Sequence, residues 1–183
     1  MSETRPPDSQ PHLAVDALPE AEALYQRLCQ LLQPLRQPHW QVVGITSGGA
    51  WMAERLQQDW NLAAIGVIST AMHRDDFARR GLSRTVETRL PFAVDGAHIL
   101  LLDDVLHTGR TIRAALNEIY DFGRPASVQL AVLVERTGRE LPICATVAAA
   151  HMDLPQQQNL HMVRNEAGRF DFHLRDMGQS ARL

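Results

Sequence analysis

The stretch Ile99–Thr111, ILLLDDVLHTGRT, opens on four consecutive aliphatic residues and runs into two carboxylates, a Thr-Gly pair and a second threonine. A short run that is apolar at every position is the pattern of a strand covered on both faces. His98–Leu102 is therefore predicted as a buried strand ending on Asp103 and Asp104. Beyond it, Thr111–Phe122 places Ile112, Ala115, Leu116, Ile119 and Tyr120 on one helical face, and Gly123 with Pro125 supplies the stop signal. In open α/β sheets a strand delivers its last residues to the carboxyl edge, where ligands bind, and the following helix aims its N-terminus at the same place. Backbone N–H groups around Thr108, Gly109, Arg110 and Thr111 suit a phosphate there, with Gly109 allowing close approach. Asp103 and Asp104 suit the vicinal hydroxyls of a ribose, directly or through a Mg²⁺ that a phosphorylated sugar brings with it. The combination implies a ribose 5-phosphate. The bland alternative is a helix N-cap by Asp104 or Thr108 beside a surface carboxylate. That alternative would suffice for a lone Asp-Asp pair, and the full constellation is far more specific.

Working outward, Gln41–Ile45 reads as a strand, Thr46, Ser47, Gly48 and Gly49 as a glycine-rich turn, and Ala50–Trp60 as a helix. Ala63–Ile68, Val128–Val134 and Ala145–Ala150 are further strands. Glu20–Leu32 is an opening amphipathic helix stopped by Pro34 and Pro38. Between the second and third strands, Met72–Arg89 is rich in charge and lacks apolar periodicity, as a long exposed loop or hairpin would. Near the end, His161–Arg175 reads as a hairpin turning at Asn165–Gly168, with Phe170, Phe172 and Leu174 alternating against polar residues. Strands alternating with helices imply a mainly parallel sheet with right-handed crossovers, hence an α/β fold.

With 183 residues the chain fits a single domain, expected over residues 13–183 and preceded by a polar, Pro-rich segment 1–12 expected to be disordered. A net charge of −3 excludes the general excess of Lys and Arg typical of nucleic-acid binders. Cys29 and Cys144 are too few for a disulfide framework and lack metal-ligand spacing. The N-terminus has no apolar h-region and no stretch is long enough to span a membrane, so a cytoplasmic location is expected.

The segment Asp103-Asp104-Val105-Leu106-His107-Thr108-Gly109-Arg110-Thr111-Ile112-Arg113-Ala114-Ala115 resembles the phosphoribosyl pyrophosphate signature of type I phosphoribosyltransferases. It is similar in particular to the PyrR family of pyrimidine operon regulators with uracil phosphoribosyltransferase activity. Gly44-Ile45, Arg74-Asp75-Asp76, Gly123-Arg124-Pro125-Ala126 and Arg139-Glu140-Leu141-Pro142 extend the agreement over about Gln41 to Pro142. The resemblance implies a type I phosphoribosyltransferase fold with a small C-terminal β hood. It implies synthesis of UMP and pyrophosphate from uracil and phosphoribosyl pyrophosphate, with Mg²⁺ carried by that substrate rather than by a protein metal site. It assigns catalysis to Asp103 and Asp104, phosphoribosyl binding to Asp103 through Thr111 including Val105, Leu106 and His107, and the pyrophosphate turn to Thr46, Ser47, Gly48 and Gly49. Arg74, Arg79 and Arg80 would belong to a lid, and His151 with Met152 to the wall over the base. A homodimer follows from the resemblance and from the prevalence of two-fold symmetry.

Three departures bear on function. His107 stands where PyrR proteins usually have Tyr and purine-salvage relatives have Asp, which argues against a 6-oxopurine substrate. Gly48 stands where attenuator-type members carry an Arg, so the turn brings no cation to pyrophosphate. Gly138, Cys144 and Ala150 occupy positions that are basic or His in the RNA-binding relatives, leaving Arg124, Arg136 and Arg139 as candidate contacts, and RNA binding is expected to be weak or absent. Two readings stand side by side: an enzyme making UMP, and a non-enzymatic nucleotide sensor that regulates pyrimidine gene expression through RNA or a protein partner. Salvage of another base ranks below both.

Overall fold

The computed structural model describes residues 12–13, 18–70 and 87–176. Among these, the elements are β1 (His12–Leu13), α1 (Ala21–Leu32), β2 (Trp40–Ile45), α2 (Gly48–Trp60), β3 (Gly66–Ile68), β4 (His98–Leu106), α3 (Arg110–Phe122), β5 (Ser127–Arg136), β6 (Val147–Met152), β7 (Gln158–Arg164) and β8 (Phe170–Asp176). A short 3₁₀ turn, Gln33–Leu35, follows α1 where Pro34 ends the helix. Six strands form one parallel sheet in the order β1-β6-β5-β4-β2-β3, and β7 and β8 form a separate antiparallel hairpin. This is the α/β architecture that the alternation of strands and helices implied, with the C-terminal hairpin as the hood. No helix among the described residues is long and apolar enough to cross a membrane.

The apolar run at the start of β4 explains the layering. Leu100 and Leu102 join the core made by α1, α2 and the hairpin, while Ile99 and Leu101 join the core beneath α3. A strand whose side chains alternate between two covered faces has no polar face to offer, so every residue of the run is apolar. β4 lies between β2 and β5, and its last residues reach the carboxyl edge of the sheet.

Several boundaries differ from the sequence expectation. β4 continues past Leu102 to Leu106, because Asp103, Val105 and Leu106 go on pairing with Val132, Val134 and Glu135 of β5. β3 shrinks to three residues at the sheet edge, and Ala63 and Ala64 are exposed, since β2 offers rungs only from Val43 to Ile45. α2 begins at Gly48, which moves Gly48 and Gly49 from the turn into the helix. Tyr120, expected on the apolar face of α3, is 55 % exposed, and Ala114 takes a buried place instead. His12, the last residue of the N-terminal segment, pairs with His151 of β6, a backbone contact that needs no apolar side chain. Of the charged segment, residues 71–86 lie outside the described residues. Its return is visible in Arg89, which exchanges two 2.8 Å backbone hydrogen bonds with Val67 in an antiparallel bridge.

The hood is fastened to α1 and α2 by a polar knot. Arg55 pairs with Glu22 at 2.7 Å, donates to the Gly168 carbonyl and lies 3.7 Å from the centroid of the Phe170 ring. Glu22 also accepts the Phe170 N–H at 2.6 Å. Burial pushes the Glu22 carboxyl pKa up, but the hydrogen bonds from Arg55 and Phe170 and the charges of Arg55 and Arg169 outweigh it, and the net shift is downward. A carboxylate with a lowered folded pKa contributes stability above its unfolded value and loses it as pH falls through the folded one. Acidification below pH ~4.3 is therefore expected to loosen residues 158–176 before the main sheet. Hydrogen exchange against pH checks this. Glu22→Gln should remove the acid-sensitive step and destabilise the hood at neutral pH by about 1–2 kcal/mol; equal protection of hood and sheet in both proteins would show that the knot does not hold it.

Candidate active site

Three backbones approach so closely at the carboxyl edge that only glycine fits between them. A Cβ on Gly44 of β2 would lie 2.3 Å from the Gly49 carbonyl oxygen, and one on Gly49 would lie 2.1 Å from the Leu102 carbonyl oxygen of β4. The first turn of α2 is thereby pressed against β2 on one side and β4 on the other. The connection is the pair Thr46 and Ser47, joined by a cis peptide, with the Thr46 N–H donating to the Ile68 carbonyl at 2.9 Å. The free N–H groups at the start of α2 thus end beside Asp104: a Cβ on Gly48 would meet the Asp104 Cγ at 2.6 Å.

Asp103 and Asp104 are neighbours in β4, so the pleat directs them to opposite faces. Asp103 is only 5 % exposed, and one carboxylate oxygen accepts the Asp104 N–H at 3.1 Å. Asp104, half-buried, lies over Gly48, and its Oδ2 accepts the Met162 N–H of β7 at 2.9 Å. The hood therefore rests on the second carboxylate. Beyond β4, Gly109 takes φ +92 as the residue before α3, a left-handed conformation that explains its being glycine. Thr108 Oγ1 accepts the Arg110 N–H at 3.3 Å, and the Thr108 carbonyl accepts the N–H groups of Glu140 at 3.0 Å and Leu141 at 3.1 Å. An exposed Arg110–Glu140 ion pair at 2.7 Å closes the same junction. Burial, reinforced by the charges of Arg136 and Arg139, pushes the His107 imidazole pKa down, with Glu140 opposing. Its ring lies against Gly138, where a Cβ would come within 2.9 Å of Nε2.

The arrangement sets two helix N-termini, those of α2 and α3, at one sheet edge with two carboxylates between them. Each N-terminus offers oriented N–H groups and the positive end of a helix dipole to an anion, and the carboxylates offer acceptors for hydroxyls or a hard cation. The segments Asp103–Thr111 and Thr46–Gly49 are thus brought together from strands adjacent in the sheet. Leu106 is 1 % exposed and packs in the core, so only its backbone is available to a ligand. Arg74, Arg79 and Arg80 fall outside the described residues. The assignment of Met152 to a base wall needs correction: it is 2 % exposed and packs in the core, because its face of β6 is covered by α1. His151 is half-buried on the same strand, opposite Glu135 and His12.

Four residues contribute in ways the sequence reading did not assign to them. Met162 acts through its backbone, which leaves no residue-type signal. Glu140 and Leu141 brace the loop from a segment that only the fold brings alongside it, although their match to the family motif marked the place. Arg89 lines, with Thr46, Ser47, Trp51 and Glu54, a cleft of about 590 Å³ between the turn and β3. Its place at the end of a charged run hid it among its neighbours.

The glycine packing can be tested alone. Gly49→Ala forces a Cβ against the backbone carbonyl of Leu102, and a strand backbone has no rotamer with which to yield. A loss of about 2–4 kcal/mol in denaturant unfolding is expected, larger than the loss of about 1 kcal/mol for Gly96→Ala, where the added Cβ meets nothing within 4 Å and only the left-handed backbone (φ +72) is strained. Equal losses at the two positions would remove close approach as the cause.

Comparison with known proteins agrees with this fold. The family model for the phosphoribosyl transferase domain matches residues 16–153. A bifunctional protein PyrR of Ralstonia nicotianae is 47 % identical over 161 residues, covering 84 % of this chain and 92 % of its own. One from Nitrosococcus oceani is 52 % identical over 153 residues, covering 80 % and 84 %. Among solved structures, a hypoxanthine phosphoribosyltransferase from Staphylococcus aureus superposes with a TM-score of 0.55 at 18 % identity, over 78 % of this chain and 79 % of that one, a likeness of fold. By sequence and by fold, the chain belongs to the PyrR family of phosphoribosyl transferase domain proteins.

Proposed function

We propose that this protein transfers the 5-phosphoribosyl group of phosphoribosyl pyrophosphate to uracil, giving UMP and pyrophosphate. The observation that carries the reading is the pair of helix N-termini flanking the β4 carboxylates at one sheet edge. In the reaction the bond from ribose C1 to the pyrophosphate oxygen breaks and a bond from C1 to uracil N1 forms, the base losing its N1 proton. Positive charge builds on the ribose in between. The α3 N-terminus, with Thr108, Gly109, Arg110 and Thr111, holds the 5-phosphate; Thr46 to Gly49 faces the departing pyrophosphate; Asp103 and Asp104 hold the ribose hydroxyls and oppose the developing positive charge.

Among the described residues no cluster of three or more His, Cys, Asp or Glu forms a cage for a metal ion. That donor set suits Mg²⁺, which keeps much of its water and binds one or two carboxylates together with substrate phosphates. Asp103 and Asp104 would hold the ion through its substrate ligands, and when bound it supplies charge neutralisation at the pyrophosphate.

A regulatory role through RNA finds less support in the surface. Ala150 is fully buried in β6, Gly138 packs against His107, and Arg136, 2 % exposed, spends its guanidinium on the carbonyls of Leu154, Pro155 and Gln158. Arg136 is thereby corrected from a candidate RNA contact to a core anchor of the hood connection. Arg139 pairs with Glu135 at 2.6 Å. We infer that leader RNA binds weakly. A salt titration of binding to a pyrimidine-operon leader, with and without UMP, checks it: a steep salt slope with tight, UMP-enhanced binding near physiological salt would overturn the inference.

The catalytic assignment is tested by Asp103→Asn and Asp104→Asn. Each is expected to lower turnover of uracil, followed by pyrophosphate release, by at least about tenfold more than it lowers UMP affinity, because the lost charge matters most when the ribose is cationic. A fall in turnover that merely tracks affinity would reduce the carboxylates to binding groups.

A further inference from the structure

In the proposed reaction Mg²⁺ neutralises part of the pyrophosphate charge, and protein groups meet the rest. The pyrophosphate end faces the turn Thr46–Gly49, which contains no cationic side chain. The structure also shows why the turn cannot readily acquire one at Gly48: a Cβ there would lie 2.6 Å from Asp104 Cγ and 2.8 Å from its Cβ and Oδ2, in space that the carboxylate already fills. The backbone N–H groups of α2 partly answer the anion, but a helix end carries only about half a unit charge.

The cleft beside that turn contains a side chain able to supply the rest. Its described lining runs from Thr46, Ser47 and Ala50 across Ile65 and Val67 to Glu87 and Arg89, and Arg89 is its single cation. Arg89 is held in place by neighbours among the described residues. Its backbone makes two 2.8 Å hydrogen bonds to Val67, one rung from the Ile68 carbonyl that receives the Thr46 N–H. On one side, Thr88 Oγ1 accepts the Ser69 N–H at 3.2 Å; on the other, Leu90 packs beside Gly66, where an added Cβ would lie 2.8 Å from its Cδ2. The Arg89 guanidinium is exposed at the cleft and has no ion-pair partner among the described residues. Of the two acids lining the cleft, Glu54 is paired with Arg164 at 2.5 Å and Glu87 is exposed at the mouth.

We propose that Arg89 supplies the positive charge that meets the pyrophosphate group of phosphoribosyl pyrophosphate, standing in from β3's antiparallel return for the cation absent from the turn. The proposal rests on the phosphoribosyl-transfer reading above and adds a residue to it. Arg89 binds the two terminal phosphates in the ground state and stabilises them as they leave. It does not contact the 5-phosphate, which lies at α3. Substrate and product therefore divide cleanly: phosphoribosyl pyrophosphate and free pyrophosphate use Arg89, and UMP does not.

Calorimetric titration of the full chain with phosphoribosyl pyrophosphate and Mg²⁺, with pyrophosphate and Mg²⁺, and with UMP tests this without relying on turnover. Arg89→Ala should weaken the first two by about tenfold to a hundredfold, the effect of one charge-assisted phosphate contact, and leave UMP affinity unchanged. Arg89→Lys should recover part of the loss. Glu87→Gln should act with the opposite sign and tighten pyrophosphate. Truncating the Arg89 side chain leaves its backbone bridge to Val67 intact, and an unchanged melting temperature would verify that. Unaltered pyrophosphate affinity in Arg89→Ala, or a loss that extends equally to UMP, would overturn the role of Arg89 alone. A wild-type protein that binds none of the three ligands would instead sink the phosphoribosyl-transfer reading beneath it.

Discussion

The contact on which the rest depends is the one between the first turn of α2 and the backbones of β2 and β4. With Cβ positions at Gly44 and Gly49 that would fall 2.3 and 2.1 Å from carbonyl oxygens, the helix start sits as close to the sheet as a polypeptide can. This closeness brings the helix N-terminus beside the β4 carboxylates, so that in the proposed site one small ligand would meet both. A single methyl group in that contact would push α2 outward and separate the two halves. Elsewhere the sheet is an ordinary parallel one, its central strands apolar on both faces and its helices laid across them.

A second constraint links the site to the hood. Asp104 is wedged between Gly48 below and the Met162 N–H above, and that hydrogen bond ties β7 to the carboxylate that would receive a ribose hydroxyl. The far end of the hairpin is tied down separately by Glu22, Arg55 and the Phe170 ring, and its entry by the buried guanidinium of Arg136. Three polar anchors on one two-stranded element are what a hairpin needs, since two strands alone bury too little to be stable. The position of the hood is therefore set by the hydrogen bond to Asp104 as well as by packing.

The core of this picture was legible in a dozen residues. Ile99–Leu102 read as a strand covered on both faces, Thr108–Thr111 as the turn into the next helix, and the period-two alternation of Phe170 and Phe172 marked the hairpin that β7 and β8 form. The misplacements share one cause. The ends of β3 and β4 were set by the rungs their neighbours offer; Gly48 and Gly49 became helix because close packing, not turn formation, requires glycine there; Met152 became core because α1 covers its face of β6. Each depends on a partner distant in sequence.

By itself the sequence determined the class of fold and the strand, turn and helix that carry the candidate site, because hydrophobic periodicity and the spacing of turn and stop residues are local properties of the chain. Only the tertiary structure decided which groups share the site. The Met162 N–H on Asp104, the Glu140 and Leu141 N–H groups on Thr108, and the placing of Arg89 beside a turn that lacks a cation all join residues far apart in sequence. Two of the three act through the backbone, which carries no residue-type signature, and the third owes its place to a β-bridge. Long-range pairing is fixed by the free energy of the whole packed sheet, and no window of residues contains it.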